Sequence, residues 1–264
     1  MSGKSRDVSE SAAPPGYEAF TERGARVVVK DSFATAVRSA LTAGTLHTWA
    51  SRQAGAVALG GRAAAWAAAL PGGIEVVVRH SRHGGVLRFA TKDLFLPPTR
   101  APRELASALR LAAARVPTPE VVAFAVYPAL WPLVRADVVT RRIRGADFPD
   151  AWRASPEGLP RRTLVRALAT LLQQLRAAGA LHPDLNLRNV LVAVQDDEPA
   201  AFVLDVDRVR FGLPGSKAIA ARNLARVFRS ARKWRKACNI DLEVPEHAHV
   251  LAASVHGSPA RSAE

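Results

Sequence analysis

The sequence predicts an α+β protein of two lobes, an antiparallel-sheet lobe followed by a mainly helical one. Three observations predict it. Short β-branched runs broken by glycine and proline turns fill the first half. Apolar residues at three- and four-residue spacing dominate the second half, with Leu164, Leu168, Leu171, Leu172 and Leu175 as the clearest case. The length of 264 residues and an apolar content of 48% are enough for one two-lobed domain with a real core.

Each element follows from local composition. Residues 1–16 are polar and small and are expected to be disordered, and 1–15 hold no apolar stretch of the kind a signal peptide needs. Val27-Val28-Val29 marks a strand over 26–30, and a helix is expected over 31–46, capped by Asp31 or Ser32. Residues 55–59, 62–70 and 74–80 read as three successive strands, with Gly60-Gly61 and Pro71-Gly72-Gly73 as the turns between them. A helix over 103–114 carries Glu104 in its first turn. Residues 121–133 read as a strand and connector, because Pro128 and Pro132 oppose a helix. The helix over 164–178 ends at Gly179. The expected boundaries are 17–130 for the first lobe, 131–250 for the second and 251–264 for a disordered tail.

The residues that carry chemistry lie just beyond Gly179. Leu181-His182-Pro183-Asp184-Leu185-Asn186-Leu187-Arg188-Asn189 runs into the apolar Val190-Leu191-Val192. After a turn at Gln195-Asp196-Asp197-Glu198-Pro199 comes Phe202-Val203-Leu204-Asp205-Val206-Asp207. Phosphoryl transfer needs one carboxylate to orient the attacking hydroxyl and take its proton. It also needs an amide oxygen and a second carboxylate to hold magnesium on the nucleotide phosphates. Asp184, Asn189 and Asp205 stand in that order and spacing, as in the catalytic loop and metal motif of protein-kinase-like enzymes. Asp184 and Asn186 are also residue types that turns favour. Asn186 stands where protein kinases commonly carry a lysine, and Asp207 stands where they carry a glycine, which points to a small-molecule, sugar or lipid hydroxyl as acceptor. His182 is read as a structural residue hydrogen-bonded to the backbone of the second motif. Asp207 is open between a magnesium ligand and a structural carboxylate.

Beyond this loop the chain resembles the lipopolysaccharide kinases of Gram-negative bacteria, in particular the 3-deoxy-D-manno-octulosonic acid (Kdo) kinases. The resemblance runs through Gly60-Gly61-Arg62, the block 78–86, Arg103-Glu104-Leu105, Val116-Pro117-Thr118-Pro119 and Asn223-Leu224-Ala225-Arg226-Val227-Phe228-Arg229-Ser230-Ala231-Arg232-Lys233, in order over residues 54–233. Ser81, His83 and Val86 depart from the family pattern. The resemblance implies a protein-kinase-like fold, ATP and Mg2+, and a Kdo-lipid A or related lipid-linked sugar as acceptor. It implies nucleotide contacts from the glycine turn at Gly60 and Gly61 and from Arg79 at the end of the third strand, with Glu104 positioning Arg79. Residues 121–133 would then hold the hinge between lobes. Kinases of the same fold acting on a core heptose or another small molecule, and a non-catalytic relative, are the alternatives.

The net charge of +14, from 37 basic and 23 acidic residues, opens three classes of partner: nucleic acid, an anionic membrane or a phosphorylated substrate. No aromatic-interleaved or zinc-spaced motif accompanies the charge, so nucleic acid is not expected. Within 222–236, Arg222, Arg226, Arg229 and Lys233 share one helical face, which suits either solvent or an anionic inner-membrane surface. Arg82, His83, Gly84, Gly85, Arg88 and Lys92 form a second basic segment, open between an acceptor contact and a solvated loop. No run of 18 apolar residues exists, so a membrane-spanning helix is not expected, and the resemblance to the lipopolysaccharide kinases implies a peripheral location at the cytoplasmic face of the inner membrane. The single cysteine, Cys238, cannot form an intrachain disulfide.

Overall fold

The structure is a computed structural model that describes residues 13–60, 65–82, 93–155, 158–195 and 198–256. They form two compact units, one of residues up to 101 with 121–141, the other of 102–120 with 142 onward.

The first unit is a seven-stranded antiparallel sheet with two helices. Strands β1 (Tyr17–Glu22) and β2 (Ala25–Lys30) form a hairpin whose turn residues Arg23 and Gly24 both have positive φ, at 48° and 80°. Those angles match the twist of the flanking strands. A short 3-10 turn, Asp31–Phe33, leads into α1 (Ala34–Leu41) and α2 (Leu46–Ser51). The expected single helix over 31–46 breaks here, because Thr45 starts a new helix by accepting the Thr48 N–H on its side chain. Three strands follow as expected: β3 (Val57–Leu59), β4 (Ala65–Ala69) and β5 (Glu75–His80). The last two are β6 (Val121–Pro128) and β7 (Val134–Arg141), and the sheet order is β1-β2-β6-β7-β5-β4-β3.

Alternation along the strands builds the core. Ala25, Val27 and Val29 of β2 point inward while Arg26 is exposed. Val76, Val78, Val122 and Val139 join them, covered by Phe33, Val37, Leu41, Leu46 and Trp49 from the helical segment. Residues 121–133 begin with the expected strand, interior in the sheet, but the expected hinge after it is a hairpin turn within the same unit. Strand β7 pairs with both β5 and β6 and buries Ala136, Asp137, Val138 and Val139, so it belongs to this sheet. The chain therefore leaves the first unit after Arg141, rather than near 130.

The second unit is mainly helical. Helix α3 (Ala101–Ala113) and the segment to 120 group with it, not with the sheet. β8 (Ala146–Asp147) and α4 (Phe148–Arg153) precede α5 (Arg161–Ala177). α5 buries the five leucines expected of it, along with Val165. Then come β9 (Ala180–Leu181), β10 (Val190–Gln195), β11 (Glu198–Val203) and β12 (Arg210–Phe211). Two helices close the described residues, α6 (Lys217–Cys238) and α7 (Pro245–His256). Thr118 Oγ1 donates to the Val203 carbonyl, and the Val203 N–H donates to Pro117 O, which ties the segment after α3 to β11. The disordered tail expected from 251 does not begin there: α7 continues to His256 because Leu251 and Ser254 are buried. No helix among the described residues is long and apolar enough to cross a membrane.

Candidate functional site: the 182–208 loop

The site begins at the end of α5. Gly179 adopts φ of 63°, and a Cβ there would lie 2.5 Å from the Gly212 carbonyl oxygen. Glycine at this position lets α5 turn sharply into β9, which pairs with β12 and delivers the chain to His182.

His182 is the hub of the loop and is fully buried. Its Nε2 donates to the Leu204 carbonyl at 2.9 Å and its Nδ1 accepts the Asp184 N–H at 3.2 Å. One nitrogen donating and one accepting defines the neutral imidazole. Burial holds its pKa below the ordinary histidine value, against the opposing pull of the Leu204 carbonyl and nearby carboxylates. The structural role expected of His182 is thus what its geometry shows.

Both asparagines of the loop fold back on Asp184. Asn186 Nδ2 and Asn189 Nδ2 donate to the Asp184 carbonyl oxygen at 2.9 and 3.0 Å. Asn186 Oδ1 accepts the Arg188 N–H, capping the 3-10 turn Leu187–Asn189. The Leu204 N–H donates to Asn189 O at 2.9 Å, so Leu204 is held on both sides by the loop. The second motif is thereby locked against the first. Asp205 follows in the left-handed region, φ 54° and ψ 53°, and opens the 3-10 turn Val206–Arg208. A non-glycine residue held there is locally strained, and such strain concentrates at functional sites.

The candidate catalytic residues Asp184, Asn189 and Asp205 all lie in the second unit, on segments joined by hydrogen bonds. Asp184 and Asp205 are exposed, and Asn189 is half-buried. Asn189 commits Nδ2 to the loop, and its Oδ1 takes part in no hydrogen bond among the described residues. Hard oxygen donors of this kind, one amide and one carboxylate beside substrate phosphates, are the set that suits Mg2+. Among the described residues no cluster of three His, Cys, Asp or Glu forms a self-sufficient metal site.

Sequence reasoning missed the supports of this loop. Asn223 of α6 accepts the His182 N–H at 3.1 Å and donates to the Ala180 carbonyl at 2.9 Å. Ser230, two turns on, accepts the Leu187 N–H at 3.0 Å. Both lie in the 223–233 block, whose arginines drew attention instead; the buried polar pair at a spacing of seven was the available signal. Arg208 was missed as well. Its Nη1 donates to Asp184 Oδ2 at 2.6 Å.

The remaining expected positions fall as follows. Gly60 ends β3 and is exposed; Gly61 and residues 83–92 lie outside the described residues. Arg79 sits on β5 opposite Ala65 and Val138 in the first unit, half-buried. Glu104 lies in the first turn of α3 in the second unit and is buried.

Beside Arg79, His80 forms a polar cluster that the sequence reading passed over. Its Nδ1 lies 2.6 Å from buried Asp137 and its Nε2 lies 3.0 Å from Asp93, which Arg135 also pairs. The His47 N–H donates to the second Asp137 oxygen. Burial pulls the His80 pKa down, but hydrogen bonds and charge from Asp137 and Asp93 outweigh it and hold the pKa above the ordinary value. His80 and Asp137 are register partners on β5 and β7, so only the strand pairing reveals the contact.

Comparison with known proteins shows the family and the fold. The chain is 28% identical over 186 residues to the 3-deoxy-D-manno-octulosonic acid kinase of Haemophilus influenzae (strain 86-028NP), covering 69% of this chain and 76% of the relative. The kinase of the same name from Vibrio parahaemolyticus serotype O3:K6 is 30% identical over 167 residues, covering 61% and 66%. The fold is shared with a solved structure of WaaP in complex with acyl carrier protein, at a TM-score of 0.55 and 20% identity, covering 89% of this chain and 90% of the other. That likeness makes the fold protein-kinase-like. A family model of the lipopolysaccharide kinases matches residues 47–246. On that match the chain belongs to the lipopolysaccharide kinase (Kdo/WaaP) family, ATP-using phosphotransferases with a hydroxyl acceptor.

Proposed function

We propose that this lipopolysaccharide kinase transfers the γ-phosphoryl group of ATP to a hydroxyl of a Kdo sugar on lipid A or a related lipid-linked precursor. The observation that carries the reading is the pair of segments bearing Asp184, Asn189 and Asp205, which hydrogen bonds lock to each other in the second unit. The Kdo identity is supported by the names of the relatives at 28% and 30% identity.

In this reading the Asp184 carboxylate accepts a hydrogen bond from the acceptor hydroxyl, orients its oxygen toward the γ-phosphorus and takes the proton as the new bond forms. His182 does not compete for that proton, because its Nδ1 is occupied by the Asp184 N–H and its Nε2 by Leu204 O. Asn189 Oδ1 and the Asp205 carboxylate would hold Mg2+. When bound, the ion neutralises charge on the ATP phosphates. Arg79 is assigned to the phosphates on the likeness of its segment to the family's. Arginine offers a planar fork there instead of a lysine point charge.

A lipid-linked acceptor places the enzyme at a bilayer, and the reading includes peripheral association with the cytoplasmic face of the inner membrane. Arg222, Arg229 and Lys233 are exposed on α6, whereas Arg232 and Arg235 are spent on Glu243 and Asp241. In the first unit Leu130 and Trp131 are exposed at 73% and 95% on the turn between β6 and β7. An exposed tryptophan with an apolar neighbour suits the headgroup layer.

The test is incubation of the purified protein with MgATP and a Kdo-bearing lipid A precursor, followed by mass spectrometry. A gain of one phosphate on the Kdo fragment is expected. Phosphate on another core sugar, or none, overturns the Kdo assignment.

A further inference from the structure

The Asp184–Arg208 contact has no evident structural purpose. Both side chains are about half exposed, at 48% and 54%, and exposed ion pairs contribute little to folding stability. Yet the contact places a guanidinium on the one carboxylate that the acceptor hydroxyl needs.

Phosphoryl transfer spreads negative charge over the three equatorial oxygens of the moving group, and fixed cations there lower the barrier. The catalytic loop itself supplies none. Asn186, at the position where protein kinases carry lysine, is a neutral amide whose two ends are bound to Asp184 O and Arg188 N. Arg188 is the loop's own cation, but it is directed elsewhere. Its guanidinium lies 3.4 Å from Asp147 and 4.9 Å from the centre of the Trp234 ring. Arg208 comes from a different element, the 3-10 turn that Asp205 opens. Buried Val206 and nearly buried Val209 anchor that turn, so the backbone of Arg208 is fixed relative to Asp205 while its side chain reaches to Asp184.

We propose that Arg208 is a catalytic residue that supplies the cation missing from the loop, its guanidinium bridging Asp184 and the transferring γ-phosphoryl group. The guanidinium has five N–H donors. Nη1 serves Asp184, and donors remain for phosphoryl oxygens. The inference rests on the kinase reading of the site. In the step, the acceptor oxygen bonds to the γ-phosphorus, the bond from that phosphorus to the β,γ-bridging oxygen breaks, and its electron pair leaves with ADP. The acceptor proton passes to Asp184. Arg208 gains and loses no proton and acts by charge and geometry alone. One short turn then presents both a metal-binding carboxylate and a charge-stabilising arginine. This chain reaches an arrangement like that of the kinase loop with the lysine position vacated.

The experiment compares wild type with Arg208→Ala, Arg208→Lys and Arg188→Ala, each checked by circular dichroism. It measures turnover and the affinities for MgADP and for MgADP with aluminium fluoride, a mimic of the transferring phosphoryl group that needs no sugar. Arg208→Ala is expected to lower kcat by about 10²–10³-fold. It should leave MgADP affinity within a few-fold and abolish the extra tightness of the fluoride complex. Arg208→Lys should restore part of both, and Arg188→Ala should keep the fluoride tightening. Unchanged or faster turnover in Arg208→Ala would mark the contact as a resting restraint on Asp184 and overturn the proposal. Equal loss of MgADP and fluoride-complex affinity, or an equal effect of Arg188→Ala, would also overturn it. If the fluoride results hold but no phosphate reaches Kdo, only the sugar assignment falls. If wild type binds no nucleotide, the kinase reading and this one fall together.

Discussion

Asn223 grips the catalytic loop by its backbone, accepting the His182 N–H at 3.1 Å while donating to the Ala180 carbonyl at 2.9 Å. It is completely buried on α6, so both loop groups are satisfied without water. Asn223→Ala strands a buried donor and a buried acceptor, each costing about 1–3 kcal/mol. A fall of several degrees in the unfolding midpoint is expected, with turnover reduced in the folded fraction. A midpoint equal to wild type by scanning calorimetry would show that the loop does not depend on this residue.

Asp184→Asn keeps the shape of the side chain and removes its capacity to take a proton. Turnover is expected to fall by about 10²–10⁴-fold. The fold and nucleotide affinity should be nearly unchanged, since the contacts of residue 184 with His182, Asn186 and Asn189 run through its backbone N–H and carbonyl and the pairing of its side chain with Arg208 is exposed. Steady-state kinetics showing activity within a few-fold of wild type would remove Asp184 from the proton-accepting role.

Asp205 tests the metal side of the site. Asparagine is the informative replacement, because it tolerates the left-handed conformation that residue 205 adopts. Asp205→Asn is expected to weaken MgATP binding while sparing ATP without magnesium. Titration calorimetry that finds MgATP affinity unchanged contradicts a metal-binding role.

His80 makes the stability of the first unit depend on pH. Its folded pKa is raised above 6.5, so its pairing with Asp137 and Asp93 stabilises fully below that value and fades as pH rises through the folded pKa. Tyr127, near Asp137, does not titrate in this window, because burial first and the Asp137 charge second push its pKa upward. Thermal unfolding of wild type should therefore lose stability above about pH 6.5, and His80→Gln should not show that slope. Parallel profiles for the two proteins would assign the dependence to another group.

Replacing Arg222, Arg226, Arg229 and Lys233 with Glu should release the protein from anionic vesicles, since each surface-proximal cation contributes about 1 kcal/mol. Nucleotide binding should survive, because the contacts α6 makes to the loop come from Asn223 and Ser230 on a buried face. Sedimentation with vesicles of graded anionic content at low salt measures this. Equal, negligible binding of the wild type to neutral and anionic vesicles would assign the basic face to solvent or to the soluble head of the substrate.

The candidate reacting groups and most of the elements around them were legible along the chain. Asp184, Asn189 and Asp205 were legible because phosphoryl transfer restricts both residue type and order, and the strands flanking them are short apolar runs. The helix over 164–178 was legible because five leucines at helical spacing have one way to be buried. The rest depends on partners distant in sequence. Strand β7 joins the first sheet because β5 and β6 leave it a paired place between them, which no local pattern near Pro132 records. Leu251 holds α7 in place through burial, not through propensity. Asn223 and Ser230 hold a loop some 40 residues earlier, a partner that no pattern within their own helix records. Arg208 looked like one arginine among many. Its meaning comes from a turn, opened by the left-handed Asp205, that brings it within 2.6 Å of Asp184. Residue chemistry is local and can be read along the chain, whereas a hydrogen bond between distant segments exists only once the backbone has brought its two ends together.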